Sequence, residues 1–154
     1  MVQKIISGGQ TGVDRAALDF ALENKIPCGG FCPRGRLAED GIIPAIYPLA
    51  ETDSSVYEER TEANVLQSDG TFIIVPTLPL TGGTLYALQF AKKNNKPCFT
   101  LLIEKNLQEQ KINFLKWFIE NKIRILNIAG PRESTNQGIS QKSKSILEII
   151  LGTK

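Results

Sequence analysis

A chain of 154 residues, 42% hydrophobic and 22% charged, fits one globular domain able to bury roughly 70% of its unfolded surface. A net charge of +2 without a polybasic run excludes a general nucleic-acid or membrane-surface binder, and no apolar stretch reaches the roughly 18 residues of a membrane span. Histidine is absent, which removes Ser-His-Asp and Cys-His nucleophiles and the commonest nitrogen ligand of transition metals.

Val2 to Ile6 reads as a short apolar strand, and Val13 to Asn24 as a helix with Val13, Ala16, Ala17, Phe20 and Ala21 on one face. Between them lies Ser7-Gly8-Gly9-Gln10-Thr11-Gly12-Val13-Asp14. Three glycines at a strand-to-helix turn allow backbone N–H groups to approach a ligand closely, so the stretch reads as an anion cradle with a preference for phosphate. Ile26-Pro27 ends the helix and Cys28 to Phe31 forms a second strand, closing a βαβ unit. Cys28, Cys32 and Cys98 are odd in number and lack C-x-x-C spacing, so they read as reduced, mostly buried thiols. With a strand starting close to Met1 and no span, a soluble cytoplasmic protein is expected.

Pro33-Arg34-Gly35-Arg36 follows, and from Leu37 to Asp53 the absence of helical period predicts a long loop over one end of the sheet. Ser55 and Glu58 have capping-box spacing and open a helix to about Gln67, with Arg60 and Asn64 on one face. Phe72 to Val75 reads as a central parallel strand buried on both faces, and Pro76 to Thr84 as a second turn region. Leu85 to Asn95 is helical and Phe99 to Ile103 a strand. Gln108 to Asn121 is a helix expected to bury Ile112, Leu115, Phe118 and Ile119. Phe114 and Trp117 give it a second apolar side, read as core in preference to a subunit contact. Arg124 to Ile128 is the last strand, Ala129 to Gln137 the last turn region, and Ser140 to Leu151 the closing helix with Ile146, Leu147 and Ile150 inward. This alternation predicts a doubly wound α/β fold: a mainly parallel, five-stranded sheet with helices on both faces, as one domain over 1–154. Ligands bind beyond the carboxyl ends of such strands near a switch point, where the loops after the first, third and fifth strands are expected to converge.

The first loop reads G-G-x-x-G. It lacks the G-x-G-x-x-G spacing of a dinucleotide site and the Lys-Ser or Lys-Thr of a Walker loop. Where a dinucleotide fold places an acid for the ribose, this chain has Arg34 and Arg36, which suit phosphate. Gly82-Gly83-Thr84 again lies between strand and helix, although Thr84 is equally explained as an N-cap. Asp14 and Arg15 occupy the first helical turn. Asp14 either complements the helix dipole or works on a ligand: paired with Arg15, accepting from a sugar or base, or binding Mg²⁺. Glu39 and Asp40 read first as solvated loop carboxylates, since a hard cation needs several convergent oxygens, and no metal ligand set is assigned. Arg132, Glu133 and Ser134 end the fifth strand, as a ligand-crevice loop or an ordinary polar cap.

The motifs Ser7 to Asp19, Pro33-Arg34-Gly35-Arg36 with Ala38-Glu39-Asp40-Gly41, Arg60-Thr61 with Asn64-Val65, Gly82-Gly83-Thr84 and Gly130-Pro131-Arg132-Glu133-Ser134 together resemble the molybdenum carrier family nearly end to end. The family is similar to a wider Rossmann-like group that includes the lysine-decarboxylase-like phosphoribohydrolases. The resemblance implies a Rossmann-like sheet, a homo-oligomer and a role in holding molybdenum cofactor (molybdopterin), whose pterin bears a terminal phosphate. It carries over Gly8, Gly9, Thr11, Gly12, Gly82, Gly83 and Thr84 as anion-site residues. Gln10, Arg15, Arg34, Arg36 and Arg132 join them as ligand-binding candidates from their places in the loops. Phosphoribohydrolases of the wider group have a glutamate three residues after the threonine of their second glycine loop, where this chain has Ala87, which speaks against hydrolysis by that mechanism. The leading expectation is therefore a carrier of a phosphorylated small molecule, with no nucleic-acid or membrane partner. The alternative is a nucleotide-processing enzyme, with Asp14, Glu39, Asp40 or Glu133 as acid-base candidates and Arg34, Arg36 and Arg132 as phosphate clamps. A third reading is an oligomeric partner without a working site.

Overall fold

Gly70 to Val75 is a run of six residues with no exposed side chain, so it can only be an interior strand covered on both faces. The computed structural model, which describes residues 1–152, places it so. In chain order the elements are β1 (Lys4–Ile6), α1 (Val13–Glu23), β2 (Cys28–Gly29), β3 (Phe31–Cys32), β4 (Leu37–Ala38), β5 (Gly41–Ile42), β6 (Ala50–Glu51), α2 (Tyr57–Gln67), β7 (Gly70–Val75), α3 (Gly82–Lys93), β8 (Cys98–Leu102), α4 (Leu107–Glu120), β9 (Ile125–Ala129) and α5 (Ile139–Leu151). The main sheet has the order β2-β1-β9-β7-β8, with every neighbouring pair parallel. It is the expected Rossmann-like α/β sheet.

The position of β9 is the informative departure from sequence order. The last strand inserts in the middle, pairing with β1 on one side and β7 on the other. Counted from β7, with β1 taken as following β9, the same sheet reads 2-1-3-4-5, the order of a flavodoxin-like doubly wound fold. The topology is thus a circular permutation of that fold. Its switch point falls between β7 and β9.

Alternation along β7 sends Phe72 and Ile74 to one face, where they join Val13, Phe20, Phe114, Phe118, Ile146 and Ile150 from α1, α4 and α5. Ile73 and Val75 point to the other face, under α2 and α3, which pack on each other. Ile146, Leu147 and Ile150 face inward on α5 as expected.

Three local expectations are corrected. On α4 the buried residues are Phe114 and Phe118, with Trp117 against them, while Ile112 and Ile119 are 68% and 72% exposed and Leu115 is also exposed. The cause is an aromatic cluster: Phe114 packs 4.6 Å from Phe72 and 5.5 Å from Phe99, and Trp117 lies 5.7 Å from Phe99, which turns the helix onto its aromatic side. The second strand stops at Gly29, and the chain bends at Gly30 (φ 123°), so that Phe31–Cys32 pairs with Ala50–Glu51 outside the main sheet. The long loop is therefore stitched by two small ladders, β3–β6 and β4–β5. Finally, Ser55 and Glu58 form no capping box at α2, whose side-chain bonds are made one residue outward on each side: Glu59 accepts from Asp53 N, Ser54 N and the Ser54 hydroxyl.

Candidate functional site

The loops after β1, β7 and β9 converge as expected. They enclose a cavity of about 430 Å³ lined by Gly8, Gln10 and Asp14 from the first, Val75 to Thr77 and Pro79 to Thr84 from the second and Ala129 to Arg132 from the third, with Arg60 of α2 beside them. That volume suits a nucleotide-sized ligand. Among the described residues, no helix is long and apolar enough to cross a membrane, and no three His, Cys, Asp or Glu side chains cluster as metal ligands.

The two glycine loops differ in what their glycines serve. A Cβ at Gly8 would stand 2.5 Å from Arg60 Nη1, and one at Gly9 would stand 2.4 Å from Leu49 Cδ1. At Gly12 (φ 83°) it would lie 2.3 Å from the carbonyl oxygen of Pro131. In that loop Gln10 N donates to Asp14 Oδ2, Thr11 N to Gln10 Oε1 and Val13 N to Pro131 O. The glycines of the first loop thus answer to protein packing. At Gly82 and Gly83 a Cβ would meet nothing within 4 Å, and Gly83 has an ordinary φ, so no neighbour in the protein demands glycine there. Thr81 makes no side-chain cap, so the first N–H groups of α3 open onto the cavity beside buried Thr84. Of the two glycine loops, the second is the one that leaves open space at an uncapped helix N-terminus.

Asp14 is 7% exposed and is the carboxylate on the cavity wall. Burial pushes its carboxyl above the usual carboxylate range, against the opposing pull of Arg60, the Gln10 N–H, Arg15 and Arg132. Arg60 Nη1 lies 3.6 Å from Asp14 Oδ2 and donates to the Gly8 carbonyl at 2.8 Å. The Arg60 and Arg132 guanidiniums both lie against the Tyr57 ring, 5.3 and 5.9 Å from its centre.

The remaining candidates lie elsewhere. Arg36, at φ 54°, turns inward and donates to the carbonyls of Ile43, Pro44, Tyr47 and Leu49, holding the loop together instead of facing the cavity. Arg34 is exposed and is not on the cavity wall. Arg15 forks onto Asp40 at 2.7 and 2.8 Å and donates to Gly9 O, so this pair is a clamp between the first loop and the β4–β5 hairpin. Arg15 holds the Asp40 carboxyl below its usual range. Glu39, at the hairpin tip, accepts from Thr11 Oγ1, Ser134 N (3.2 Å) and Ser134 Oγ (2.5 Å), with Arg132 3.8 Å away. Desolvation works against its charge, and the Ser134 and Thr11 donors with Arg132 outweigh it, holding the carboxyl below its usual range. Glu133 caps α5, accepting from Gly138 N and Ser140 N. The structure therefore brings together Gly8, Gln10, Asp14, Gly82, Gly83, Thr84 and Arg132, and sets Gly9, Thr11, Gly12, Arg15, Glu39, Asp40 and Glu133 to work within the loop framework.

Among the cavity residues not singled out as ligands in the sequence, Arg60 and Asn127 stand out. Arg60 carried a signal, the Arg60 and Asn64 face of α2; Asn64 turns out to pair both ways with Phe31, as a strand would. Asn127 is a polar residue inside the otherwise apolar strand Ile125–Ala129, and its Nδ2 donates to Thr71 Oγ1 at 3.2 Å. A lone amide in a buried strand is the signal that would have found it.

Ala87 stands on the cavity wall with 2% of its surface exposed, so the position that carries glutamate in phosphoribohydrolases of the wider group is here a methyl group.

Comparison with known proteins agrees with this topology. A crystal structure of a protein from Syntrophus aciditrophicus SB, described as "Putative molybdenum carrier protein", is 45% identical, with a TM-score of 0.94 over 97% of this chain and 95% of that one. No curated protein matches the chain. Residues 5–151 match the family described as "Circularly permutated YpsA SLOG family", in accord with the strand order 2-1-3-4-5 read from β7. The chain belongs to the circularly permutated YpsA SLOG family.

Proposed function

We propose that the protein is a carrier that holds a phosphorylated pterin of the molybdenum-cofactor type in the cavity between β7 and β9. The observation that carries this reading is the open α3 N-terminus: Gly82 and Gly83 leave space that no protein atom fills, as a phosphate seated on backbone N–H groups requires. The Syntrophus protein's description as a molybdenum carrier supports the choice of pterin. Asp14, Arg60 and Arg132 would face the remainder of the ligand, and Val75, Ala87 and Ile128 offer apolar surface for a flat ring.

The test is native mass spectrometry of gently purified protein, which reads subunit number and retained ligand together. Wild type is expected to hold a pterin-fluorescent ligand that Gly83→Ala loses. One observation favours a second reading, a nucleotide-processing enzyme: Asp14 is buried on the cavity wall with its carboxyl held toward the protonated form, as a general acid would be. Release of free base or phosphate from a nucleotide panel, abolished by Asp14→Asn with binding intact, would decide for the enzyme.

A further inference from the structure

Gln10 and Asp14 sit side by side on the cavity wall, and each is fixed by the protein on one side while free on the other. Gln10 is 5% exposed, and its Oε1 accepts from Thr11 N at 3.1 Å and Glu39 N at 2.9 Å. These two bonds set the amide orientation. They leave Nε2 with no hydrogen-bond partner in a buried position. Such an orphan donor destabilises the fold unless a ligand or water meets it. Asp14 Oδ2 accepts from Gln10 N at 3.2 Å and faces Arg60, which leaves Oδ1 without a partner among the described residues.

A fixed donor beside a fixed acceptor is complementary to an acceptor beside a donor. The ligand edge with that pattern is a lactam, a ring C=O next to a ring N–H. We infer that Gln10 and Asp14 read the lactam edge of a heterocyclic ligand, Gln10 Nε2 donating to the ring carbonyl and Asp14 Oδ1 accepting from the ring N–H. An adenine-type edge presents the reverse pattern, an amino donor next to a bare ring nitrogen, and meets donor with donor. The inference rests on the proposal that a phosphorylated ring compound occupies this cavity and adds which rings are accepted. Burial pushes the Asp14 carboxyl up, and the Arg60 guanidinium, 3.6 Å from Oδ2, opposes it. The accepting role of Oδ1 belongs to the ionised carboxylate, which a bound ring N–H stabilises further.

Inosine 5′-monophosphate and adenosine 5′-monophosphate isolate the edge, since they share ribose and phosphate and differ only between lactam and amidine. By calorimetry, wild type is expected to bind the inosine nucleotide about tenfold tighter or more, the scale of one mismatched buried hydrogen-bond pair. Asp14→Asn, whose amide can donate as well as accept, should bring the two within about twofold. Equal binding by wild type overturns the inference, as does a preference that survives in Asp14→Asn or failure of both nucleotides to bind. Equal weakening of both nucleotides by Asp14→Asn would mean that the carboxylate reads the ribose hydroxyls, and overturns it too. The phosphate seat is scored separately. Gly83→Ala must weaken both nucleotides equally, and if it leaves them unchanged the phosphate reading fails while the lactam preference stands.

Discussion

Arg60 Nη1 donates to the Gly8 carbonyl at 2.8 Å, and a Cβ at position 8 would stand 2.5 Å from that same nitrogen. The glycine makes room for the arginine whose Nη1 lies 3.6 Å from Asp14 Oδ2. The atoms in the way are the far end of a side chain, so Gly8→Ala is absorbed by Arg60 swinging aside. Stability should change by less than about 1 kcal/mol, while affinity for a phosphorylated ring ligand falls about tenfold because Asp14 loses its charged neighbour. Thermal melting and calorimetry on the one variant read both quantities. Unchanged affinity would mean that Arg60 takes no part in binding.

Gly83 and Gly12 separate the two glycine loops. Gly83→Ala puts a methyl group into the space beside the α3 N–H groups where nothing else stands, and alanine is the better helix former by up to about 1 kcal/mol. The variant should be as stable as wild type or more so, and should fail to hold phosphate. Gly12→Ala meets the Pro131 carbonyl at 2.3 Å with φ at 83°, backbone against backbone, and should cost roughly 2–4 kcal/mol. Urea denaturation of the two variants, with a phosphate titration of each, gives the contrast. Loss of phosphate binding by a fully stable Gly12→Ala would restore the first loop as the anion seat.

Arg36 was a phosphate-clamp candidate in the sequence, and the fold makes it a staple. Replacing it by alanine strands the carbonyls of Ile43, Pro44, Tyr47 and Leu49, and lysine cannot supply the fork that reaches them. Both variants should lower stability, alanine by about 2 kcal/mol, and leave phosphate affinity unchanged where the protein remains folded. Weaker phosphate binding at undiminished stability would return Arg36 to the ligand.

These cases mark what local sequence could reveal. The alternation of periods was enough for the parallel sheet and for the meeting of the loops after β1, β7 and β9, because both follow from the order of elements. The purpose of each glycine was not legible, because it is decided by Arg60 or Pro131, residues far along the chain from Gly8 and Gly12. The central place of β9 was equally hidden. Pairing of Leu126 with Ile5 and of Ile128 with Phe72 has no local signature. Arg36 read as a ligand group, and Glu39 as a solvated carboxylate or an acid-base candidate, because a charge in a loop looks the same in sequence whether it faces a ligand, solvent or the protein's own backbone.

The orientation of α4 has its own check. Leu107–Glu120 carries apolar residues around much of its circumference, and the aromatic contacts decide which side is inside. Phe114→Ala should cost about 3–5 kcal/mol, since Phe114 is fully buried against Phe72 and Phe99, while Ile112→Ala should stay within about 0.5 kcal/mol in the monomer. Chemical denaturation at low protein concentration compares them. Similar losses for both would show that Ile112 is covered in solution.

Glu39 ties the hairpin tip to Thr11 and Ser134, and its carboxyl titrates below its ordinary value of 4.5. The sign follows from linkage: a carboxylate whose folded-state pKa is depressed adds stability that is present above the unfolded value and is lost as pH falls through the folded one. Glu39→Gln removes that contribution, and its amide turns a donor toward Ser134 and Arg132. The melting temperature of wild type should therefore exceed that of Glu39→Gln at pH 7 and at pH 5.5. The gap should narrow as pH drops below 4.5, where the wild-type carboxyl takes up its proton and becomes a neutral group like the amide. Asp40 titrates in the same direction through its fork with Arg15, but it is present in both proteins and cancels from the difference. Melting curves of the two proteins from pH 3 to 7 make the comparison. A gap that does not vary with pH would mean that Glu39 stabilises the β4–β5 hairpin by shape and hydrogen bonding alone, with no part played by its charge.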